Sequence, residues 1–196
     1  TLEKKTDEME FDEQIRQAAT ALGFFEMINN PLQSESDAML TGNPIKIANP
    51  LSADMECLRT SLLPGALITI SKNIKQGVKD LKLFEIGDAF KKINSDEIKA
   101  FSDFTETQNL LLVVSGKEQN KGWNTEEKDS DFYLLKGLID SFLSKISLDN
   151  VLIDSYYSTA NEIYAYHLTK SFKEVELGRG GKLKNEVLKQ FDINQD

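Results

Sequence analysis

The stretch Leu58-Arg59-Thr60-Ser61-Leu62-Leu63-Pro64-Gly65 has the pattern of a segment that enters an amphipathic helix. Thr60 or Ser61 can cap the helix, and Pro64 is tolerated in its first turn because the amide hydrogen that proline lacks has no helical partner there. Gly77 predicts the end of the helix. The apolar stripe that follows the cap has helical spacing and comprises Leu63, Leu67, Ile70 and Ile74. The stretch therefore predicts a helix with one face in the core.

Strands are predicted directly after this helix. The segments 81–86 and 89–93 are two predicted strands around Gly87-Asp88, and residues 94–107 form a charged connection. Residues 110–114 are continuously apolar, which predicts a central strand covered on both faces.

Another helix is predicted before the opening stretch. Its apolar residues recur at helical spacing, and Gly23 is a plausible C-cap. These apolar residues are Phe11, Ile15, Ala18 and Leu22. A strand over 24–28 then runs into a turn at 29–31, residues 33–43 are polar and irregular, and 45–48 form a short strand.

The last third of the chain predicts three consecutive strands between two helices. A polar loop over 116–130 holds Trp123 and leads to a helix capped by Ser130 or Asp129. The apolar positions of that helix are Phe132, Leu135, Ile139, Phe142 and Ile146. The three strands that follow are predicted over 151–157, 162–167 and 172–177. The closing helix is predicted from Leu183, Val187, Leu188 and Phe191. This order favours an α+β fold, with helices on a mostly antiparallel sheet, over residues 1–196 as a single domain.

Composition narrows the function classes. The chain has 196 residues, of which 40% are hydrophobic and 28% are charged, and its net charge is -9. A field of this sign repels phosphate, so tight binding of nucleic acid by this chain is not expected. The single cysteine excludes a disulfide within the chain and favours a reducing, cytoplasmic compartment. No apolar run approaches the ~20 residues of a membrane helix, and the two ends indicate a segment cut from a longer chain.

Few residues are candidates for chemistry. Cys57 is expected to be buried or neutral, because a free cysteine behaves mostly as a small hydrophobic residue. His167 is expected to be structural or at the surface, because one histidine and one distant cysteine do not make a metal site. The run Gly178-Arg179-Gly180-Gly181 could cradle phosphate, but it lacks the spacing of known phosphate loops, so a tight turn is favoured.

The remaining charged residues predict no site. Lys182 and Lys184 near Arg179 form a basic cluster too small for a nucleic-acid footprint. The paired carboxylates Glu8/Glu10, Glu126/Glu127 and Asp129/Asp131 are expected to be solvated or to cap helices. The residues alone therefore predict no catalytic, cofactor-binding or metal-binding residue.

Several motifs nevertheless resemble one family at matching spacing. These are Asn49-Pro50-Leu51-Ser52, the run 58–65, Asn73, Leu83-Phe84-Glu85-Ile86-Gly87-Asp88-Ala89-Phe90, Gly122-Trp123, residues 131–137 and Phe191-Asp192-Ile193. Together with the entry segment 11–28 they resemble the core of the bacterial-type phenylalanine–tRNA ligase β subunit. The sequence departs from that pattern at 167–170 and at Lys184-Asn185.

The resemblance implies a class II aminoacyl-tRNA synthetase-like fold and a degenerate, catalytic-like module. This module would pair with the catalytic α subunit in an (αβ)2 enzyme, which uses ATP and Mg²⁺ to attach phenylalanine to tRNA(Phe). A class II site needs an arginine on a sheet strand and another after a glycine-rich strand to hold phosphates. The strand with Glu85 has no arginine beside it in sequence, and Arg59 is expected to make a structural ion pair or a hydrogen bond to backbone.

Two other functions stay open from the sequence. One is a stand-alone class II-like ligase that activates a small carboxylic acid with ATP. The other is a protein-interaction domain unrelated to translation.

Overall fold

The fold combines five helices with eleven strands in the part of the chain that this computed structural model describes, residues 2–93, 100–148, 154–158, 163–172 and 175–195. The helices are α1 (Leu2–Ala21), α2 (Glu35–Met39), α3 (Leu63–Lys75), α4 (Phe132–Lys145) and α5 (Asn185–Gln190). The strands are β1 (Phe25–Glu26), β2 (Leu32–Gln33), β3 (Ile45–Lys46), β4 (Cys57–Leu58), β5 (Leu81–Lys92), β6 (Phe104–Ser115), β7 (Lys117–Gln119), β8 (Lys128–Asp129), β9 (Asp154–Ser158), β10 (Tyr164–Phe172) and β11 (Val175–Leu183). The predicted mixture of helices and strands is confirmed.

The longest strand pairing in the described part of the chain is the antiparallel ladder between β5 and β6. It runs in unbroken register from Leu81 opposite Ser115 to Lys92 opposite Phe104, and β1 pairs in parallel with the other edge of β5. The prediction of two strands around Gly87-Asp88 was therefore wrong, because the ladder continues through both residues. The predicted connection 94–107 was also too long, since β6 already begins at Phe104, while residues 94–99 lie outside the described part.

Strand β6 is covered on both faces, as predicted, but it is not central. Leu111 and Val113 pack against one core cluster, while Leu110, Leu112 and Val114 pack against the other. In the described part of the chain, β6 lies at the end of its sheet, and β5 is its one hydrogen-bonded neighbour.

A second sheet joins β9, β10 and β11, all antiparallel. The three predicted strands are thus present, although their boundaries shift and residues 151–153 are outside the described part. The run 178–181 is not the predicted tight turn, because it pairs with β10 along its whole length. A small sheet of order β2-β4-β3 and the hairpin β7–β8 complete the strands.

Among the residues that the structure describes, the core consists of two clusters, one on each face of the β5–β6 ladder. One cluster packs α3 and α5 against the face that carries Leu81 and Leu83. The other packs α1 and α4 against the opposite face, where Phe84 is fully buried. Side chains of one strand thus serve both clusters, because successive residues of a strand point to opposite faces.

The predicted helix caps were only partly right. Gly23 and Gly77 adopt positive φ angles after α1 and α3, as glycine C-caps do. Leu62 rather than Thr60 or Ser61 is the N-cap of α3, although the Ser61 hydroxyl accepts a hydrogen bond from the Leu63 amide. Asp131, rather than Ser130 or Asp129, caps α4 by accepting from the Leu134 amide.

Two short elements were missed in segments predicted as irregular. Helix α2 lies within 33–43, and the hairpin β7–β8 lies within the polar loop 116–130. Trp123 sits in the connection of that hairpin, and its side chain is almost fully exposed. Within the described residues, no helix is both long and apolar enough to cross a membrane.

Candidate functional site

A buried ion pair joins the two motifs that the sequence singled out. The Arg59 guanidinium, directly after β4, donates from Nη1 to Glu85 Oε1 of β5 at 2.8 Å. Its Nε donates to the carbonyl oxygen of Asp88 at 2.6 Å. Both charged side chains are more than nine-tenths buried, so each charge depends on the other for compensation.

Glu85 is also bound from its other side by Asn29, in the turn after β1. The Asn29 backbone amide donates to Glu85 Oε1 at 3.2 Å, and its Nδ2 donates to Oε2 at 2.7 Å. The Asn29 Oδ1 in turn accepts from the Thr69 hydroxyl of α3 at 2.7 Å. The four side chains form a continuous chain of hydrogen bonds, here called the Arg59–Thr69 network, that connects β4, β5, the 29–31 turn and α3.

Backbone hydrogen bonds hold Arg59 in place. Its amide donates to the carbonyl of Pro31 and its carbonyl accepts from the amide of Phe90, both at 2.9 Å. Thr60 donates its hydroxyl to the Ala38 carbonyl at 2.6 Å, so the Thr41 hydroxyl is the donor to Thr60. Thr60 therefore anchors the α2 region instead of capping α3.

The structure tests the expectations for these residues. The structural ion pair expected of Arg59 is confirmed. No arginine stands beside Glu85 in the sequence, but folding brings Arg59 to it across 26 positions. Asn29 and Thr69 were not predicted as partners, since nothing in their local pattern indicates a contact 56 or 40 positions away.

Gly87 lies against the guanidinium of Arg59. A Cβ at this position would overlap Arg59 Nη2 and would come within 3.2 Å of Arg59 Cζ. We therefore expect Gly87→Ala to displace Arg59 from Glu85 and to lower the free energy of unfolding by about 1–3 kcal/mol. Urea denaturation followed by far-UV circular dichroism measures the change.

Gly137→Ala is the matched control for that substitution. Gly137 lies within α4, and a Cβ there would meet no atom within 4 Å. Because alanine favours a helix interior over glycine, stability should rise by up to about 1 kcal/mol. A Gly87→Ala protein as stable as the original would show that Arg59 can move without cost.

A cavity of about 330 Å³ lies between β6, β11 and helices α3, α4 and α5. Its wall is mainly apolar, and Asp129, Asp131, Arg179 and Lys182 are the charged residues that line it among those described. Tyr164 also lines it, and burial raises the pKa of its phenol.

The other candidate residues lie apart from one another. Arg179 is on β11 and pairs with Glu176 at 2.8 Å, with both side chains nearly half exposed. Cys57 is fully buried as predicted, and burial raises the pKa of its thiol. His167 lies within β10 rather than at a strand end, with its backbone opposite Ser158 and Gly181. In the described part, no three histidine, cysteine or acidic side chains cluster as metal ligands would.

Two solved structures share this fold over most of the chain. Both are described as pyrrolysyl-tRNA synthetase of Desulfitobacterium hafniense, with TM-scores of 0.64 and 0.66 and sequence identities of 15% and 14%. The match covers 95% of this chain in both cases, and 62% and 63% of those chains. This likeness confirms the predicted class II synthetase-like fold.

Curated relatives share sequence as well. The chain is 33% identical over 192 residues to the phenylalanine–tRNA ligase beta subunit of Chlorobium chlorochromatii. The aligned region covers 95% of this chain and 24% of that protein. The subunit of the same name from Bacteroides thetaiotaomicron is 30% identical over 187 residues, covering 89% of this chain and 22% of that protein. The chain thus spans about a quarter of the length of these relatives.

The family model described as the phenylalanyl tRNA synthetase beta chain CLM domain matches residues 1–196. The motifs at 58–65 and 83–90, which that resemblance rested on, meet in the structure at the Arg59–Glu85 pair. The chain belongs to the phenylalanyl tRNA synthetase beta chain CLM domain family.

Proposed function

We propose that this chain is a non-catalytic structural and assembly module of a phenylalanine–tRNA ligase β subunit. It supports an α subunit that attaches phenylalanine to tRNA(Phe), in an (αβ)2 enzyme, with ATP and Mg²⁺ bound elsewhere in that enzyme. Its place of action would be the cytoplasm. The names of the relatives support the assignment to this ligase, and the geometry supports the absence of chemistry.

The observation that carries the proposal is the Arg59–Thr69 network. Adenylate formation needs free positive charge beside the phosphates, because negative charge builds there in the transition state. Neither β5 nor β6 contains an arginine. Arg59, the nearest guanidinium to the centre of β5, is buried and already paired with Glu85.

Arg179 is a poor substitute for the missing arginine. It lies in a glycine-rich strand beside the cavity, but it is paired with Glu176, and Asp129 and Asp131 also line that cavity. These two carboxylates offset the positive charges of Arg179 and Lys182, so the described charged residues that line the cavity give no net attraction for a triphosphate.

An assembly role is supported by apolar side chains on and near β1. The Phe25 side chain in β1 and the Ile28 side chain shortly after it are 73% and 91% exposed. In the described part, β1 pairs with β5 alone, so its outer edge and these side chains offer a surface for a partner.

The test is phenylalanine-dependent exchange of pyrophosphate into ATP. We expect the purified chain to give no exchange above the blank, while the α/β enzyme from the same source gives strong exchange as the positive control. Exchange by the chain alone would overturn the proposal.

A thermal-shift measurement adds a readout that does not depend on turnover. A ligand that binds the folded state must raise its apparent stability, so saturating ATP with Mg²⁺ should leave the melting temperature of the chain unchanged. A clear rise would favour the stand-alone ligase.

Co-purification with the α subunit at native salt tests the assembly role, and failure to recover the complex would count against it.

A further inference from the structure

The cavity lies along the edges of two strands rather than on a sheet face. Five consecutive residues of β6, 111–115, line it, as do five consecutive residues of β11, 179–183. Because successive side chains of a strand point to opposite faces, consecutive lining residues place the space beside the strand. The cavity is therefore a gap between the two sheets, and residues of α3, α5 and the start of α4 line the rest of it.

The size of this gap suits a small organic molecule. It measures about 330 Å³, whereas a dry apolar cavity of about 150 Å³ in another protein holds benzene. The space thus fits two fused rings, or one ring with a short substituent. It is too small for a helix of a partner protein, whose diameter with side chains is about 10–12 Å.

The lining favours an uncharged ligand. Its described lining is mainly apolar and includes aliphatic side chains from four elements: Leu67, Ile70, Leu111, Val113, Leu135 and Leu183. Arg179 is paired with Glu176, and the Asp131 carboxylate accepts from the Leu134 amide. Asp129 and Lys182 also line the space, so the charged residues described there are two acids and two bases whose charges offset one another. An ion of either sign would lose its hydration in a mainly apolar space that carries no net opposite charge to replace it, which is costly.

We propose that this cavity is a binding site for a small, uncharged, largely apolar molecule of about the size of two fused rings. It goes beyond the proposed assembly role and does not depend on it: either can fail alone.

The test uses 2-naphthol as the neutral probe and 2-naphthalenesulfonate as its charged analogue. Ligand-observed NMR titration of the full chain should show saturable binding of 2-naphthol at one site. The sulfonate should bind at least about tenfold more weakly, because its charge must be desolvated. Absence of saturable 2-naphthol binding, or equal binding of the sulfonate, would overturn the proposal.

Substitutions locate the bound probe. Val113→Phe fills the gap from β6 and should abolish 2-naphthol binding while the far-UV circular dichroism spectrum stays unchanged. Leu135→Phe fills it from α4, and it serves if the first variant does not fold. Leu177→Phe is the control, because Leu177 is on β11 but outside the cavity lining and half exposed. Binding retained by both filling variants would place the probe elsewhere and refute the assignment.

Discussion

Replacement of Glu85 by alanine is expected to lower the free energy of unfolding by about 3–5 kcal/mol, as removal of one partner from a buried ion pair does. The change leaves the Arg59 guanidinium buried without its counter-charge and removes the acceptor for both Asn29 hydrogen bonds. Urea denaturation followed by far-UV circular dichroism gives the difference, with the slope of the transition checked for two-state behaviour.

Two further variants show whether the loss of stability comes from leaving a buried charge without its partner or from losing an ion pair as such. Glu26→Ala removes the Arg16–Glu26 pair, whose side chains are about one-third exposed, and should cost less than about 1 kcal/mol. The double variant Arg59→Met/Glu85→Leu removes both charges and should recover much of the lost stability, because no uncompensated charge remains. A Glu85→Ala protein that loses no more than the Glu26→Ala protein would contradict the central place of this pair.

Replacement of Phe84 by alanine is expected to cost about 3–5 kcal/mol, the range for removing a buried aromatic side chain. Phe84 is fully buried between α1 and α4 and packs in one cluster with Phe24 and Phe142. The cavity left behind would be bordered by two helices held by the rest of the fold, which limits how far they can close it. Chemical denaturation measures the loss.

Phe25→Ala is the control for that substitution. Phe25 is in β1, paired opposite Leu83 next to Phe84, but its side chain is largely exposed. Its replacement should change stability by less than about 1 kcal/mol, the span of strand propensities. If the two phenylalanine variants lost equal stability, the cluster around Phe84 would not be the core that the packing indicates.

Local patterns in the sequence predicted the elements that have long apolar periodicity. The stripe Leu63, Leu67 and Ile70 gave α3 within about two residues of its observed ends, and all three side chains are buried. The capping residues were less predictable, because Thr60 makes its hydrogen bonds with Ala38 and Thr41, which are distant in sequence. Helix α2 was missed because five residues are too few to show a stripe, although the Ser34 hydroxyl does accept from the Asp37 amide as a cap does.

Strand β11 shows that a glycine-rich composition does not by itself predict a turn. The run 178–181 was predicted as a turn from composition, but pairing with β10 makes it a strand. A Cβ on Gly180 would lie 3.5 Å from the Ile139 side chain, which is ordinary van der Waals contact, so the packing of α4 does not require a glycine at this position. The candidate site also depends on contacts between residues that are distant in sequence. The motifs containing Arg59 and Glu85 were identified by resemblance to a family, but the sequence did not predict that these two residues pair with each other.

The exposed indole of Trp123 determines how the tryptophan fluorescence of this protein responds to unfolding and to binding. It is the single tryptophan of the chain, and 96% of its surface is open to solvent in the native state. Its emission should already be that of a solvated indole, so unfolding will shift the emission maximum little. A blue shift on addition of another protein would instead report that the β7–β8 hairpin has been covered, which makes the native chain its own fluorescent sensor of docking at that hairpin.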